Sequence, residues 1–311
     1  MLDFYERDNI FNFRRVKKLS DERVQKNLTV PYPLKECHLY LRALCFLLFP
    51  CCVFADEQSL IIYTEEFPPY NFSKNGEING INVRIVQAAC KEVGIKCEFQ
   101  IFPWNRAMRM ARNGPNTGLV STARTPEREK WFKWVGPFIK SQNCIFKLAS
   151  RTDIVIPNVE SASKYVLGGG TDASTAYKKV LDELGFVEGK NLKRYSNKGS
   201  NMRPFAAGRV DLIIDSATGI KVRLAIANLS LEDVVPVAAI DTSFLGGNHL
   251  ALHPTFDDDV AEKLQASVQR LVSSGEAAKM ELEFVQPISV ATPNNIDPSL
   301  WNKCMKENVS N

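Results

Sequence analysis

Hydrophobic and polar residues along the first half of the chain follow periods that predict strands and helices in alternation. Residues 60–64 are apolar or β-branched and predict a buried strand. Apolar residues recur at helical spacing over 81–93, which predicts an amphipathic helix. A strand over 96–102 and a helix over 103–112 follow. This alternation is typical of an α/β fold.

The second half of the chain repeats the alternation and predicts a second α/β unit. The predicted elements are a strand from residue 164 that leads through glycines into a helix near 177–184, a strand at 192–196, a short helix at 201–207, an apolar strand at 208–215 and helices at 217–228, 257–273 and 275–284. Residues 288–311 form a C-terminal tail without a strong pattern.

The N-terminal segment has the pattern of an export signal. Residues 1–37 are polar and mixed in charge, and we interpret them as an extension produced by an upstream start codon. Residues 38–55 have the properties of a signal peptide, with an apolar stretch shorter than the ~20 residues that span a membrane. The small residue Ala55 stands at the predicted cleavage position. A buried helix is the alternative, and Pro50 disfavours it.

Composition and charge describe a globular protein without a polyanion partner. Hydrophobic residues make up 45% of the chain and charged residues 24%, which is ordinary for a folded domain. The net charge is +4, and residues 1–55 contain nine Lys/Arg against six Asp/Glu. The remaining 30 basic and 29 acidic residues nearly balance. We therefore expect no nucleic-acid partner.

A polar segment at 121–136 carries the clearest candidate chemistry, an anion site. It follows a short apolar strand, and Thr125 before a proline is a good helix N-cap. This places Arg128 in the first helical turn, near backbone N–H donors and the hydroxyl of Ser121. A guanidinium in that position can bind a carboxylate through two parallel hydrogen bonds. The alternative is a solvated Arg128 that pairs with a neighbouring glutamate.

A second candidate is a carboxylate at the end of a predicted strand. The apolar run 208–215 ends in Asp215. Ligands of α/β sheets bind in the crevice beyond the carboxyl ends of the strands, so Asp215 is placed where a ligand would bind. The alternative is that Asp215 caps the helix that follows.

The segment T-P-E-R-E-x-x-F-x-W-V-G-P-F, which begins at Thr125, resembles the signature of bacterial extracellular solute-binding proteins of family 3. These proteins are periplasmic receptors for polar amino acids. The resemblance implies a type II periplasmic binding protein, with two α/β lobes joined by two crossing strands. The domains that it implies are lobe one at 56–145 and 244–287 and lobe two at 146–243, with crossings near 136–148 and 245–252.

The resemblance also implies a set of ligand-binding positions. These are Phe67, Trp104, Ser121, Ala123, Arg128, Thr171, Asp172 and Asp215. Arg128 would bind the α-carboxylate of the ligand and Asp215 its α-ammonium, while Phe67 and Trp104 pack on either side. Ala123 stands where the family has a second hydroxyl, so only its backbone N–H is available.

Four cysteines follow residue 55, and an even number in an exported protein suggests disulfides. The C-x6-C spacing of Cys90 and Cys97 matches a bridge in several receptors of the family and implies the same bridge here. Cys144 and Cys304 are far apart in sequence and either pair or stay free.

The resulting expectation is a non-enzymatic, monomeric periplasmic protein that captures an amino acid or a similar small carboxylate for an inner-membrane ABC permease. No catalytic motif is found, and His249 and His253 form no metal-ligand cluster, so we expect neither cofactor nor metal. Two alternatives stay open. One is a dehydratase-like enzyme with Glu65, Glu66 or Asp172 as acid or base, and the other is a ligand-sensing partner of a membrane signalling protein.

Overall fold

The computed structural model describes residues 59–139, 142–169, 175–195, 198–241, 247–285 and 296–305. They lie in one compact unit that extends from Asp56 to Asn311. The predicted extension and signal peptide at 1–55, and the turn residues Thr171 and Asp172, lie outside the described residues. Within the described ranges, no helix has both the length and the apolar character needed to cross a membrane.

Strands and helices alternate along the described chain. The strands are β1 (Ser59–Thr64), β2 (Phe72–Lys74), β3 (Glu77–Asn79), β4 (Lys96–Ile101), β5 (Thr117–Ala123), β6 (Lys133–Val135), β7 (Asn143–Leu148), β8 (Leu167–Gly169), β9 (Leu192–Arg194), β10 (Leu212–Ser216), β11 (Val234–Ile240) and β12 (Asn248–Leu252). The helices are α1 (Ile81–Val93), α2 (Trp104–Asn113), α3 (Pro126–Glu129), α4 (Thr175–Glu183), α5 (Met202–Ala206), α6 (Ala217–Arg223), α7 (Asp258–Ser273), α8 (Glu276–Leu282) and α9 (Pro298–Met305). Short 3₁₀ helices lie at Val159–Lys164, Leu224–Ala227 and Leu231–Asp233.

Lobe one is built around a five-stranded sheet in the order β4-β1-β5-β12-β6. β1 pairs in parallel with β4 and β5, whereas β12 is antiparallel to β5 and β6. The predicted helix over 81–93 is α1, which ends at Gly94 in the left-handed conformation that favours glycine. Apolar residues of α1, α7 and the strands bury one another, and this burial is the main stabilising contribution to the lobe.

Lobe two is built around a second five-stranded sheet in the order β11-β7-β10-β8-β9. β10, β8 and β9 are parallel, and β7 and β11 are antiparallel additions. Two apolar clusters enclose this sheet. The mixed α/β architecture of two lobes agrees with the fold class expected from the sequence.

Two strands of the five-stranded sheets were not predicted from the sequence. β6 follows a helix of only four residues, because the chain after α3 extends to pair with β12. β11 pairs with β7 along most of its length. β6 and β12 belong to the first sheet and β7 and β11 to the second, so the chain passes between the two sheets twice.

The C-terminal helix α9 packs against lobe two, although the tail showed no strong sequence pattern. Its residues Trp301, Cys304 and Met305 are buried in the core of that lobe. Cys304 forms a disulfide with Cys144 of β7, which decides the pairing that the sequence left open. The expected Cys90–Cys97 bridge is also formed and joins α1 to β4.

Candidate functional site

The two lobes enclose a cavity of about 180 Å³. A cavity of this size suits one small molecule. Six of the eight predicted ligand-binding residues line it, and they are Phe67, Trp104, Ser121, Ala123, Arg128 and Asp215. Thr171 and Asp172 lie outside the described residues. The structure therefore brings together residues that are up to 148 positions apart in sequence.

Arg128 is buried on the lobe-one wall of this cavity, with 4% of its surface exposed. The predicted N-cap is formed, since Thr125 Oγ1 accepts a hydrogen bond from the backbone N–H of Arg128 at 3.3 Å. The guanidinium donates from Nη1 to the carbonyl of Ala123 at 3.3 Å, and its Cζ lies 5.3 Å from the ring centroid of Trp104. These contacts fix the orientation of the guanidinium beside the cavity.

The alternative of a solvated Arg128 is wrong. Glu129 pairs instead with Arg124, whose Nε lies 2.8 Å from Glu129 Oε2. That pair is exposed and holds the pKa of Glu129 below its ordinary value. Helix α3 is a single turn, so its dipole contributes little to anion binding. The anion-binding capacity of this wall therefore comes from the guanidinium of Arg128.

Ser121 belongs to a directional chain of partly buried hydrogen bonds. Asn82 Nδ2 donates to Ser121 Oγ at 2.8 Å, and the Ser121 hydroxyl donates to Asn71 Oδ1. Asn71 Nδ2 then donates to the carbonyl of Glu65 at 2.5 Å. Ser121 has a φ of 61°, a conformation that this network stabilises. The hydroxyl proton is thus directed towards Asn71, and Ser121 positions the wall of the cavity.

The two predicted aromatic residues reach the cavity from different elements. Phe67 lies in the loop after β1, where its backbone exchanges two hydrogen bonds with Asn71 and its ring contacts Tyr70 at 4.9 Å between centroids. Trp104 begins α2, directly after Pro103. Both rings are half-buried and line the cavity, so they can cover the apolar surface of a ligand.

On lobe two, the carboxyl ends of the parallel strands meet at the cavity, as the crevice rule predicts. Gly169 at the end of β8, Arg194 at the end of β9 and Asp215 in β10 all line it. Ser216 caps α6, because its Oγ accepts from the N–H of Gly219 at 3.1 Å. The interpretation of Asp215 as a helix cap is therefore wrong.

Asp215 is paired with a residue that the sequence analysis missed, Arg223 at the end of α6. Arg223 Nε donates to Asp215 Oδ2 at 2.6 Å, and Nη2 contacts Oδ1. A Cβ atom at Gly219 would lie 1.9 Å from Arg223 Nη2 and 2.2 Å from Asp215 Oδ1, so glycine leaves the space in which the pair forms. Gly219 and Arg223 are four residues apart on one face of α6, and Asp215 lies in β10 four residues before Gly219, so this regular spacing could have revealed the pair.

Three further contacts link α6 and its cap to lobe one. Arg223 Nη1 donates to the carbonyl of Pro68 at 2.8 Å. The hydroxyls of Tyr70 and Ser216 lie 2.9 Å apart, and Thr218 donates to Glu281 Oε1 at 2.6 Å. Burial raises the pKa of Tyr70, so its hydroxyl stays protonated. The lobes are thus closed on each other along one side of the cavity.

No metal centre accompanies the cavity in the described ranges, since they contain no group of three or more His, Cys, Asp or Glu that could hold an ion. Of the acids that the sequence offered as catalytic groups, Glu65 lines the cavity and Glu66 is exposed. Glu66 accepts a hydrogen bond from the N–H of Ser73 at 3.1 Å.

Comparisons with known proteins give a consistent family. Residues 60–287 match the model of bacterial extracellular solute-binding proteins, family 3. A relative from Bacillus subtilis (strain 168), the probable amino-acid-binding protein YxeM, is 22% identical over 65% of this chain and 72% of its own length. The arginine-binding periplasmic protein of Mannheimia haemolytica is 25% identical over 55% of this chain and 68% of its own length.

Solved structures share the fold at low sequence identity. An ancestral arginine-binding protein bound to arginine has a TM-score of 0.59 at 19% identity, over 73% of this chain and 98% of that one. A histidine kinase sensor domain has a TM-score of 0.61 at 18% identity, over 76% and 100%. An ancestral amino-acid-binding protein, described as a precursor of cyclohexadienyl dehydratase, has a TM-score of 0.60 at 18% identity, over 74% and 97%.

Proposed function

The chain belongs to the bacterial extracellular solute-binding proteins, family 3, and on that basis we propose that it captures an amino acid or a similar small carboxylate between its lobes for an ABC-type uptake transporter. One observation carries the proposal. A buried arginine of lobe one, Arg128, and a buried carboxylate of lobe two, Asp215, line the same small cavity. A small molecule held between them contacts both lobes.

In this proposal the guanidinium of Arg128 binds the carboxylate of the ligand, and the rings of Phe67 and Trp104 cover its body. Asp215, together with Arg223, forms the opposite wall. A ligand that contacts both lobes binds the closed form more tightly than the open form and so shifts the population towards closure. An inner-membrane ABC permease would recognise the closed monomer in the periplasm.

Variants of Arg128 test the proposal by calorimetry against a panel of amino acids and small carboxylates. Arg128→Ala leaves the ligand carboxylate in a partly dry cavity without its main donor, so we expect a loss of ~2–5 kcal/mol, or roughly 30-fold or more in affinity. Arg128→Lys keeps the charge but loses the paired hydrogen bonds and should also bind weakly. Arg106→Ala is the matched control, because Arg106 is an exposed arginine of α2 in the same lobe. Unchanged affinity in Arg128→Ala would refute the proposal.

Export is the second part of the proposal. A signal peptide over 38–55 delivers the protein to the periplasm, and the mature chain begins at Asp56. The motivation is the apolar stretch that ends in Ala55, before the acidic pair that opens the mature chain. N-terminal sequencing of protein recovered from the periplasm checks this, and an intact segment 1–55 on exported protein contradicts it.

A dehydratase-like activity is the second candidate, and it rests on Glu65. This carboxylate lines the cavity, where it could act as an acid or base towards a bound cyclic carboxylic acid. Incubation of the protein with cyclic dienyl and hydroxylated carboxylic acids, followed by mass spectrometry for loss of water, tests it. Turnover that disappears in Glu65→Gln would support the enzyme, whereas tight binding without turnover supports transport.

A further inference from the structure

The cavity carries an excess of positive charge among its described residues. Four basic residues line it, and they are Arg128, Arg194, Lys198 and Arg223. Two acidic residues, Glu65 and Asp215, line it as well. Arg223 already contacts both carboxylate oxygens of Asp215, Oδ2 through Nε and Oδ1 through Nη2. The negative charge of Asp215 is therefore already compensated by Arg223 before a ligand binds.

The basic residues lie on both sides of the cavity. On lobe one, Arg128 is held beside Trp104. On lobe two, Lys198 Nζ lies 4.8 Å and Arg223 Cζ lies 5.3 Å from the ring centroid of Phe67, so two cations approach one ring.

Arg194 adds a third cation at the end of β9. Its partner Glu188, 2.7 Å from Nε, is 62% exposed, so solvent screens this pair strongly. Arg194 lines the cavity, whereas Glu188 does not.

We propose that the ligand carries two acidic groups, one bound by Arg128 and the other by the lobe-two cation Lys198. This inference rests on the proposed function and narrows its ligand to dicarboxylic compounds. Because Arg223 occupies the oxygens of Asp215, an α-ammonium gains little there, and an amino group is not required. Acidic amino acids and amine-free dicarboxylic acids share the recognised chemistry.

The same charges disfavour a cationic ligand such as arginine. A third positive charge placed between Arg128 and Lys198 would be repelled, because charges interact more strongly between protein walls than in bulk water. The guanidinium of a bound arginine would find two acidic residues among the described lining residues. One is Asp215, which already binds Arg223, and the other is Glu65. Repulsion of this kind is a common source of selectivity between similar ligands.

Calorimetry on protein stripped of bound ligand by unfolding and refolding tests the inference. The probes are aspartate and glutamate, succinate and glutarate as the amine-free diacids, asparagine and glutamine as the amides, and arginine. We expect at least one diacid to bind about tenfold or more tightly than its amide and than arginine. Comparison of glutamate with glutarate, and of aspartate with succinate, then shows whether the ligand is an amino acid.

The outcomes separate the inference from the proposed function. If arginine or an amide binds most tightly, the inference is overturned while amino-acid capture stands. If no probe binds, both are overturned.

A lysine variant tests the second acidic group directly. Lys198→Gln should weaken the best diacid about tenfold or more and change the affinity of its amide less than threefold. Lys179→Gln is the matched control, because Lys179 is an exposed lysine of α4, away from the cavity, and should change neither affinity. Equal losses for diacid and amide in Lys198→Gln would show that the residue only shapes the cavity and would overturn the inference.

Discussion

Arg223 forms an ion pair with the carboxylate of Asp215 in the wall of the cavity, and its Nε lies 2.6 Å from Oδ2. The side chains are 8% and 1% exposed, and Arg223 also donates across the lobe boundary to the carbonyl of Pro68. Arg223 thus compensates the charge of Asp215 and also connects α6 to lobe one through a hydrogen bond. Since both charges are buried, removal of either one leaves the other without its main partner.

A double-mutant cycle on this pair should show strong coupling. Asp215→Asn and Arg223→Met each leave one buried charge uncompensated, so each should lower the free energy of unfolding by about 3–5 kcal/mol. The double variant removes both charges and should lose less than the sum of the single losses. Guanidinium chloride unfolding of the four proteins measures the coupling. Additive losses would mean that the two side chains do not stabilise each other.

Gly219→Ala should destabilise the protein, although alanine is ordinarily the better helix former by ~1 kcal/mol. The new Cβ would overlap Arg223 Nη2 and Asp215 Oδ1, so the ion pair would have to separate. The control is the same substitution in an Asp215→Ala/Arg223→Ala background, where space is free and the change should be neutral or stabilising. Thermal unfolding of both backgrounds checks the difference, and an equal effect in each would contradict the steric argument.

Loss of the Cys144–Cys304 bridge should cost more stability than loss of Cys90–Cys97. The residues of the first bridge are 160 positions apart and those of the second 7. In the chain-entropy model the long loop is worth about 5 kcal/mol and the short one about 2.5 kcal/mol. Non-reducing denaturant unfolding of the two double Cys→Ala variants measures both. A smaller loss for the Cys144/Cys304 variant would mean that the bridge to α9 contributes little constraint.

His249 should make stability depend on pH in a range where the carboxylates stay ionised. The ring packs against Trp134 with centroids 5.7 Å apart, and Nδ1–H donates to the carbonyl of Gly247 at 3.1 Å. Burial lowers the pKa of His249. The nearby charges of Arg124 and Glu129 form their own pair.

Because the pKa is lower in the folded state, the unfolded chain takes up the proton first as the pH falls. Stability is fully present above the unfolded pKa of about 6.5 and is lost progressively below it. His249→Asn, which can keep the donor to the Gly247 carbonyl, should flatten the slope of unfolding free energy against pH between about 5 and 7. A slope that persists in His249→Asn would assign it to other groups.

Local sequence patterns were sufficient to predict most elements and much of the cavity wall. Thr125 and Pro126 indicated a helix start, and the structure forms that cap with Arg128 directly behind it. The apolar strand before Asp215 predicted a carboxylate at the crevice, and Asp215 lines the cavity. These predictions depend on interactions within a few residues, such as a capping hydrogen bond or the alternation of a strand, and so they can be inferred without knowledge of the fold.

The sequence did not predict β6, β11 or the packing of α9, because each depends on a partner distant in the chain. Lys133–Val135 is a strand only because β12 returns to pair with it, about 115 residues later. Trp301 is buried only because lobe two presents an apolar face to it.

Sequence alone therefore determined the α/β class, the family and the side chains available to a ligand. The tertiary structure decided how those side chains are used. It directed the hydroxyl of Ser121 to Asn71, closed Arg223 on Asp215 and placed Lys198 beside Phe67. Local propensity acts over a few residues, whereas the charge and shape of a cavity depend on groups that only chain folding brings within a few ångströms of each other.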